Sequence, residues 1–267
     1  MARSSIRSIA PRRTYAALSH SLDWSLAFRT LGWRQSRLLW RMRASHAAER
    51  TADLFSISSL NLSHPFYIRS GTSDVDEFIY TVVRETYGRH LPPYEAEFVF
   101  DAGANMGDTA AWLLTRYPKA RLIAVEPDPE NFRLLSRNCV PYGERSIPVQ
   151  AAVWPRPARL SLRSDQAKDA IQVLDTGDGD CLGMTIPELM EKYDFPRLDI
   201  FKCDIEGAEL ELFSFDADQW LSRTGFLVIE VHGPECLNAV LNATSRHGFI
   251  HRSFRNLHIF GRHEWTH

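Results

Sequence analysis

From residue 98 onward, short apolar runs alternate with segments whose apolar residues recur at helical spacing. "FVFDAG", "RLIAVEP", "IPVQAAVW", "RLDIFKCDIEG" and "FLVIEVHG" read as strands. "DTAAWLLTRYP", "PENFRLLSRNC" and "TIPELMEKYD" read as the helices between them, opened by Asp108, Asp128 and Thr185. Thr185 with Glu188 three residues on makes a capping box. Unbroken apolar strands alternating with helices imply a mostly parallel sheet covered on both faces. The end, "GFIHRSFRNLHIFGR", reads as two strands joined by a turn. Upstream, "PFYIRS" reads as a strand and "DVDEFIYTVVRETYG" as a helix capped by Asp74 and stopped at Gly88. Val75, Phe78, Ile79, Val82 and Val83 form its core stripe.

The first fifty residues have a different character. They hold ten arginines against Asp23 and Glu49, although the whole chain carries a formal net charge of only −2. Trp24, Phe28 and Leu31 fall on one face of a helix there. That helix is expected to dock on the main domain, with weak contact to an anionic membrane surface as the sharper alternative. No secretory signal stands at the start, and no run is long and apolar enough to cross a bilayer. Cys139, Cys181, Cys203 and Cys236 form no Cys-x-x-Cys pair and read as reduced structural thiols of a cytoplasmic protein.

The chemistry gathers at the strand ends. After the first long strand comes Asp101-Ala102-Gly103-Ala104-Asn105-Met106-Gly107-Asp108. A pyrophosphate would require a glycine where Asn105 stands. A turn at a helix N-terminus offers N–H groups to a smaller anion, such as the carboxylate of S-adenosylmethionine. The second strand ends in Glu126, followed by Pro127 and Asp128; an acid there suits the hydroxyls of an adenosine ribose. The candidate cofactor residues are therefore Asp101, Gly103, Ala104, Asn105, Gly107, Asp108, Glu126, Pro127 and Asp128.

"FDAGANMGDTA", "IAVEPDPENFRLLSRN" and "LDIFKCDIEGAELELF" together resemble the FkbM-type S-adenosylmethionine-dependent methyltransferases. "IRSGTSDVDEFIYTVVRETYG" and "QAAVW" look like the same family, and the resemblance runs over roughly residues 65–260. It implies an α/β, Rossmann-like methyltransferase fold: a mostly parallel seven-stranded sheet with an antiparallel C-terminal strand and helices on both faces. It also implies methyl transfer, usually to a hydroxyl oxygen, with S-adenosyl-L-methionine as cofactor and a small-molecule or saccharide acceptor. On that basis residues 1–60 are a basic helical arm and residues 61–267 the methyltransferase domain.

Methyl transfer needs a positioned nucleophile and a base. Asp204 and Glu206 follow the strand "LDIFKC", with Lys202 two residues earlier, and His232 follows the next strand. These four are the candidate catalytic residues. Asp204 is expected to act as base and Glu206 to orient the acceptor, the two facing one site if the strand continues that far. Lys202 fits equally well as a buried ion pair. Glu209 and Glu211, on the next helix, are expected to be solvated. Asp204, Glu230 and His232 would suit a metal, but such a set more often does acid–base work, and no metal is expected. Nucleic acid is not expected as a partner either, because the chain outside the arm is acidic. The competing functions are an NAD(P)-dependent oxidoreductase and a non-catalytic binding protein of the same fold.

Overall fold

The computed structural model describes residues 12–45, 53–92, 94–165 and 170–262. The elements are α1 (Arg12–Ser45), β1 (Leu54–Ile57), β2 (Phe66–Arg69), α2 (Asp74–Phe78), β3 (Phe98–Ala102), α3 (Asp108–Arg116), β4 (Arg121–Glu126) and α4 (Pro129–Cys139). There follow β5 (Ser146–Gln150), β6 (Ala152–Val153), β7 (Ala158–Asp165), β8 (Ala170–Asp175), β9 (Cys181–Met184), α5 (Ile186–Lys192) and β10 (Leu198–Cys203). The chain closes with α6 (Glu209–Ser214), α7 (Asp218–Leu221), β11 (Thr224–Glu230), α8 (Pro234–Ser245), β12 (Phe249–Phe254) and β13 (Leu257–Arg262).

Seven strands form the central sheet in the order β12-β13-β11-β10-β3-β4-β5. β5, β4, β3, β10 and β11 run parallel; β13 lies antiparallel to both β11 and β12, as expected for the C-terminal strand. Side chains alternate across this sheet with period two. Val99, Leu122, Ala124, Ile200 and Val228 face the α1, α2 and α3 side. Phe100, Ile123, Val125, Phe201 and Leu227 face the α5 to α8 side. The chain leaves β3 for β4 on one side and reaches β10 on the other, so a crevice opens at the strand tips between them, where doubly wound sheets take ligands.

Two features depart from the sequence reading. The stretch read as one strand breaks at Ala151. Its second half, β6, joins a separate four-stranded sheet of order β6-β9-β7-β8. Alternating Leu160 and Leu162 in β7 carried a strand signal that a search for buried parallel strands overlooks. The helix from Asp74 holds its core stripe but passes into a π-helix over Ile79–Val83 and ends there, short of Gly88. Asp74 is not its cap: Ser73 stands at that position, and the buried Asp74 carboxylate pairs with Arg69 at 2.8 Å.

α1 is a helical hairpin. Gly32 has φ 74° and ψ 170°, a conformation essentially confined to glycine, and the chain reverses there. Trp24 and Trp40 then stack with ring centroids 5.1 Å apart, where a straight helix would separate them by about 24 Å. Of the Trp24, Phe28 and Leu31 stripe only Leu31 docks, beside buried Asp23 and Ala27; Trp24 is partly covered by Trp40 and Phe28 stays exposed. Asp23 takes two 2.7 Å hydrogen bonds from the Arg84 guanidinium, at the end of the π-helix. Arg43 pairs with Asp76 on α2 at 2.7 Å. The break placed at residue 60 falls between β1 and β2, which pair with each other. Among the described residues no helix is long and apolar enough to cross a membrane.

Gly32→Ala should cost roughly 1–3 kcal/mol of hairpin stability, because an added Cβ meets no atom within 4 Å but the backbone angle is forbidden to it. The near-ultraviolet circular dichroism of the stacked tryptophans should weaken; an unchanged spectrum and melting temperature would show that the hairpin does not depend on this turn.

Candidate active site

The tips of β3 and β10 are tied by one charge. Lys202 is aligned with Asp101 across the sheet, so both side chains leave on the same face. The buried ammonium lies 3.0 Å from Asp101 Oδ1 and donates to the Gly103 carbonyl at 2.7 Å. Burial opposes the Lys202 charge, but Asp101 and Asp204 outweigh it and hold its pKa above the ordinary value. Burial pushes Asp101 up to about 6, which leaves it ionised at neutral pH. Lys202 thus faces the loop and not the cleft. Gly103 has no room for a side chain, since a Cβ would come within 1.7 Å of the Asp204 carbonyl oxygen.

The loop uses its own donors. The N–H groups of Gly103 and Ala104 both donate to the Val125 carbonyl at 3.0 Å. Asn105 adopts a left-handed conformation (φ 48°) and donates its N–H to Glu126 Oε2 at 2.8 Å. Gly107, also left-handed, precedes α3. Asp108 is buried at the helix start beside Thr81 of the π-helix, with its pKa raised by burial. The free N–H groups offered to an anion in the sequence reading are therefore mostly engaged within the protein. Asn105 was a tolerable side chain at the centre of the turn because its backbone, not its side chain, makes the contact.

Glu126 is buried at the tip of β4. It receives the Asn105 N–H on one oxygen and the Asp128 N–H on the other at 3.0 Å, while burial pushes its pKa up to about 7. Asp128 caps α4 by accepting from Glu130 and Asn131 N–H groups. A solvent-open cleft of about 660 Å³ runs from these residues toward β10. Its apolar wall is Val125, Pro127, Ala152, Val153 and Val173, the last three supplied by the small sheet. Asn131, Ala152, Val153 and Val173 were not expected here. The first lies on the helix that Asp128 opens, and the last belongs to a strand the apolar pattern did not isolate.

The far end of the cleft is acidic. Asp204 and Glu206 converge there, although β10 stops at Cys203. A turn brings them together, with Glu206 left-handed at φ 52°. His232 Nε2 lies 3.8 Å from Asp204 and 3.4 Å from Glu206, and Nδ1 lies 3.0 Å from Glu209. Glu209 is fully buried and not solvated. Burial is the largest influence and raises its pKa, but the hydrogen bond and charge of His232, with the Gly207 N–H and Cys236, together lower it. In return Glu209 lifts His232 to about 9, so the ring is a cation at neutral pH. Donor atoms of Asp204, Glu206 and His232 all lie within 4.8 Å of one another. Glu230 does not join that set; it receives a hydrogen bond from Asn256 and lines a neighbouring pocket with Glu77, Tyr80 and Arg43. Burial and nearby Asp204 push Glu230 up to about 7, and burial pushes Glu77 up to about 8. Glu77 was missed because it lies on a helix read only for its apolar stripe.

Residues 101–257 match the methyltransferase FkbM domain, well over half of the chain. The chain belongs to the FkbM methyltransferase family. Membership makes this unit a methyltransferase domain, and the cleft suits S-adenosylmethionine as its cofactor: an apolar wall, the buried Glu126 carboxylate at the tip of β4, and the Asp204 Oδ1 atom shut from solvent without a hydrogen-bond partner. Two curated relatives share the sequence. A hexuronic acid methyltransferase, AglP, of Haloferax volcanii is 27% identical over 52% of this chain and 57% of its own length. The methyltransferase sdnD of Sordaria araneosa is 24% identical over 55% of this chain and 70% of its own. The chain thus spans a little over half of the first relative. Among solved structures, Aeropyrum pernix fibrillarin with bound S-adenosylmethionine is 14% identical, covers 64% of this chain and 67% of its own, and has a TM-score of 0.40. A Pyrococcus furiosus methyltransferase is 12% identical, covers 86% and 98%, and also scores 0.40.

The Glu126 pKa sets a pH dependence. Ribose hydroxyls donate best to the ionised carboxylate, so binding should weaken as pH falls through about 7. Titration calorimetry with S-adenosylhomocysteine should give up to about tenfold weaker affinity at pH 6 than at pH 8. Glu126→Gln should flatten that dependence; a pH profile unchanged by the substitution would place the ribose elsewhere.

Proposed function

We propose that the FkbM family chain transfers the S-adenosylmethionine methyl group to a hydroxyl oxygen of a saccharide or similar polyhydroxylated small molecule. The observation that carries this reading is the convergence of Asp204 and Glu206 at the far end of the cofactor cleft, beside a polar pocket bearing Glu77, Tyr80 and Glu230. The uronic acid named for the Haloferax relative supports a saccharide acceptor. An oxidoreductase reading has no comparable support, since the glycine it requires is Asn105.

S-adenosylmethionine supplies an activated methyl group, so the protein's tasks are alignment and removal of one proton. Glu126 and the apolar wall hold the adenosine half. Asp204 accepts the acceptor hydroxyl proton as the oxygen–carbon bond forms and the carbon–sulfur bond breaks. Glu206 fixes the hydroxyl by a hydrogen bond. His232, held as a cation by Glu209, lies against both Asp204 and Glu206 and holds them close together; it acts as a positioning residue. Lys202 holds the cofactor loop and touches neither reactant. The surplus of carboxylates also favours a sulfonium over its neutral product.

Asp204→Asn should lower turnover by about 10²–10⁴-fold with cofactor affinity nearly unchanged, as measured by methylated-product mass spectrometry beside calorimetry. Both assays are run with and without a chelator. Normal turnover in the folded variant would remove the base assignment. Wild-type turnover abolished by the chelator and restored by a divalent ion would reassign Asp204, Glu206 and His232 as metal ligands.

A further inference from the structure

The outer face of the α1 hairpin has no role in the cofactor cleft. At its turn, Phe28 and Trp33 meet edge to face with centroids 6.4 Å apart, yet they remain 53% and 59% exposed. Arg29, Arg34, Arg37 and Arg41 are exposed on the same hairpin, and among the described residues none of them pairs with an acid. The hairpin's one described acid, Asp23, is buried on the opposite face against Arg84. Arg37 lies over the Trp33 ring at 5.8 Å, which puts one of these cations directly against the aromatic pair.

We propose that this patch seats the protein on an anionic lipid surface. Phe28 and Trp33 enter the interfacial region, and the four arginines take lipid phosphate and carboxylate groups. Charge complementarity argues for this occupant: the face is wholly cationic, and the aromatic pair is amphipathic. Two exposed rings beside the hairpin turn suit a penetrable interface, whereas single-stranded nucleic acid is held in a groove with stacking platforms. The inner face is tied to the catalytic domain through Arg84–Asp23 and Arg43–Asp76. The pocket lined by Arg43, Tyr80 and Glu230 therefore keeps a fixed relation to the seated hairpin, and acceptors would be met at or near the membrane.

The test is co-sedimentation of the full chain with phosphatidylcholine vesicles containing 0 or about 30% phosphatidylserine, at low and high salt. The expected result is binding to the anionic vesicles that falls at least tenfold on pure phosphatidylcholine or at high salt. Phe28→Ser with Trp33→Ser, and separately Arg→Gln at 29, 34, 37 and 41, should each reduce it at least tenfold, with circular dichroism and melting unchanged. No binding to anionic vesicles, or equal binding by a well-folded variant, would overturn the proposal. A dimer in sedimentation that the Phe28/Trp33 variant loses, or an oligonucleotide bound more tightly than the vesicles, would overturn it in favour of a second copy or a nucleic acid.

Discussion

One buried ammonium organises the strand tips at which the cleft opens. Lys202 joins β10 to β3 through Asp101 and holds the Gly103 carbonyl, so the loop carrying Asn105 keeps the shape that reaches Glu126. A buried charge pair is rarely a net source of stability, since desolvation offsets most of the attraction. Its value here is geometric. Apolar residues of equal volume would fill the space, but they could not direct a carbonyl to one place. Gly103 completes the constraint by allowing the β10 chain to pass where a side chain would otherwise stand.

From that fixed point, charge is distributed along the cleft with a clear gradient. The end proposed for adenosine has one carboxylate, shared between two backbone N–H groups and raised by burial. The proposed reacting end has Asp204, Glu206 and Glu209, with His232 the cation among them and Glu230 in the neighbouring pocket. α2 and the π-helix that continues it bring Glu77 and Tyr80 against this end, and the α1 hairpin braces it from outside through the Arg43–Asp76 and Arg84–Asp23 pairs. The basic arm is thus part of the support for the acceptor side as well as an outward-facing surface.

The central sheet was legible because most of its parallel strands are unbroken apolar runs and all but β5 lead into a helix. Asp128 and Thr185 occupy the caps that their neighbours suggest. Glu126 and Asp101 could be located because strand ends are fixed by those helices. What escaped detection depended on folding back. Gly32 reverses α1, a step that helical periodicity cannot register, and so Asp23 and Ala27 dock beside Leu31 in place of Trp24 and Phe28. Glu209 appears solvated in a linear reading because its partner, His232, lies on a different element; the contact exists only once β10 and β11 are side by side. Lys202 was open to two readings for the same reason, and its bond to the Gly103 carbonyl separates them.

The central claim is that Lys202 acts on the cofactor loop. Replacing both members of the pair, Asp101→Asn with Lys202→Met, removes the two charges together and avoids an uncompensated buried ion. Calorimetric titration of this double variant with S-adenosylhomocysteine, with circular dichroism as the control for folding, is the direct measurement. The account predicts a folded protein whose affinity falls at least tenfold, because the Gly103 carbonyl is no longer held. Wild-type affinity in a folded double variant would contradict it.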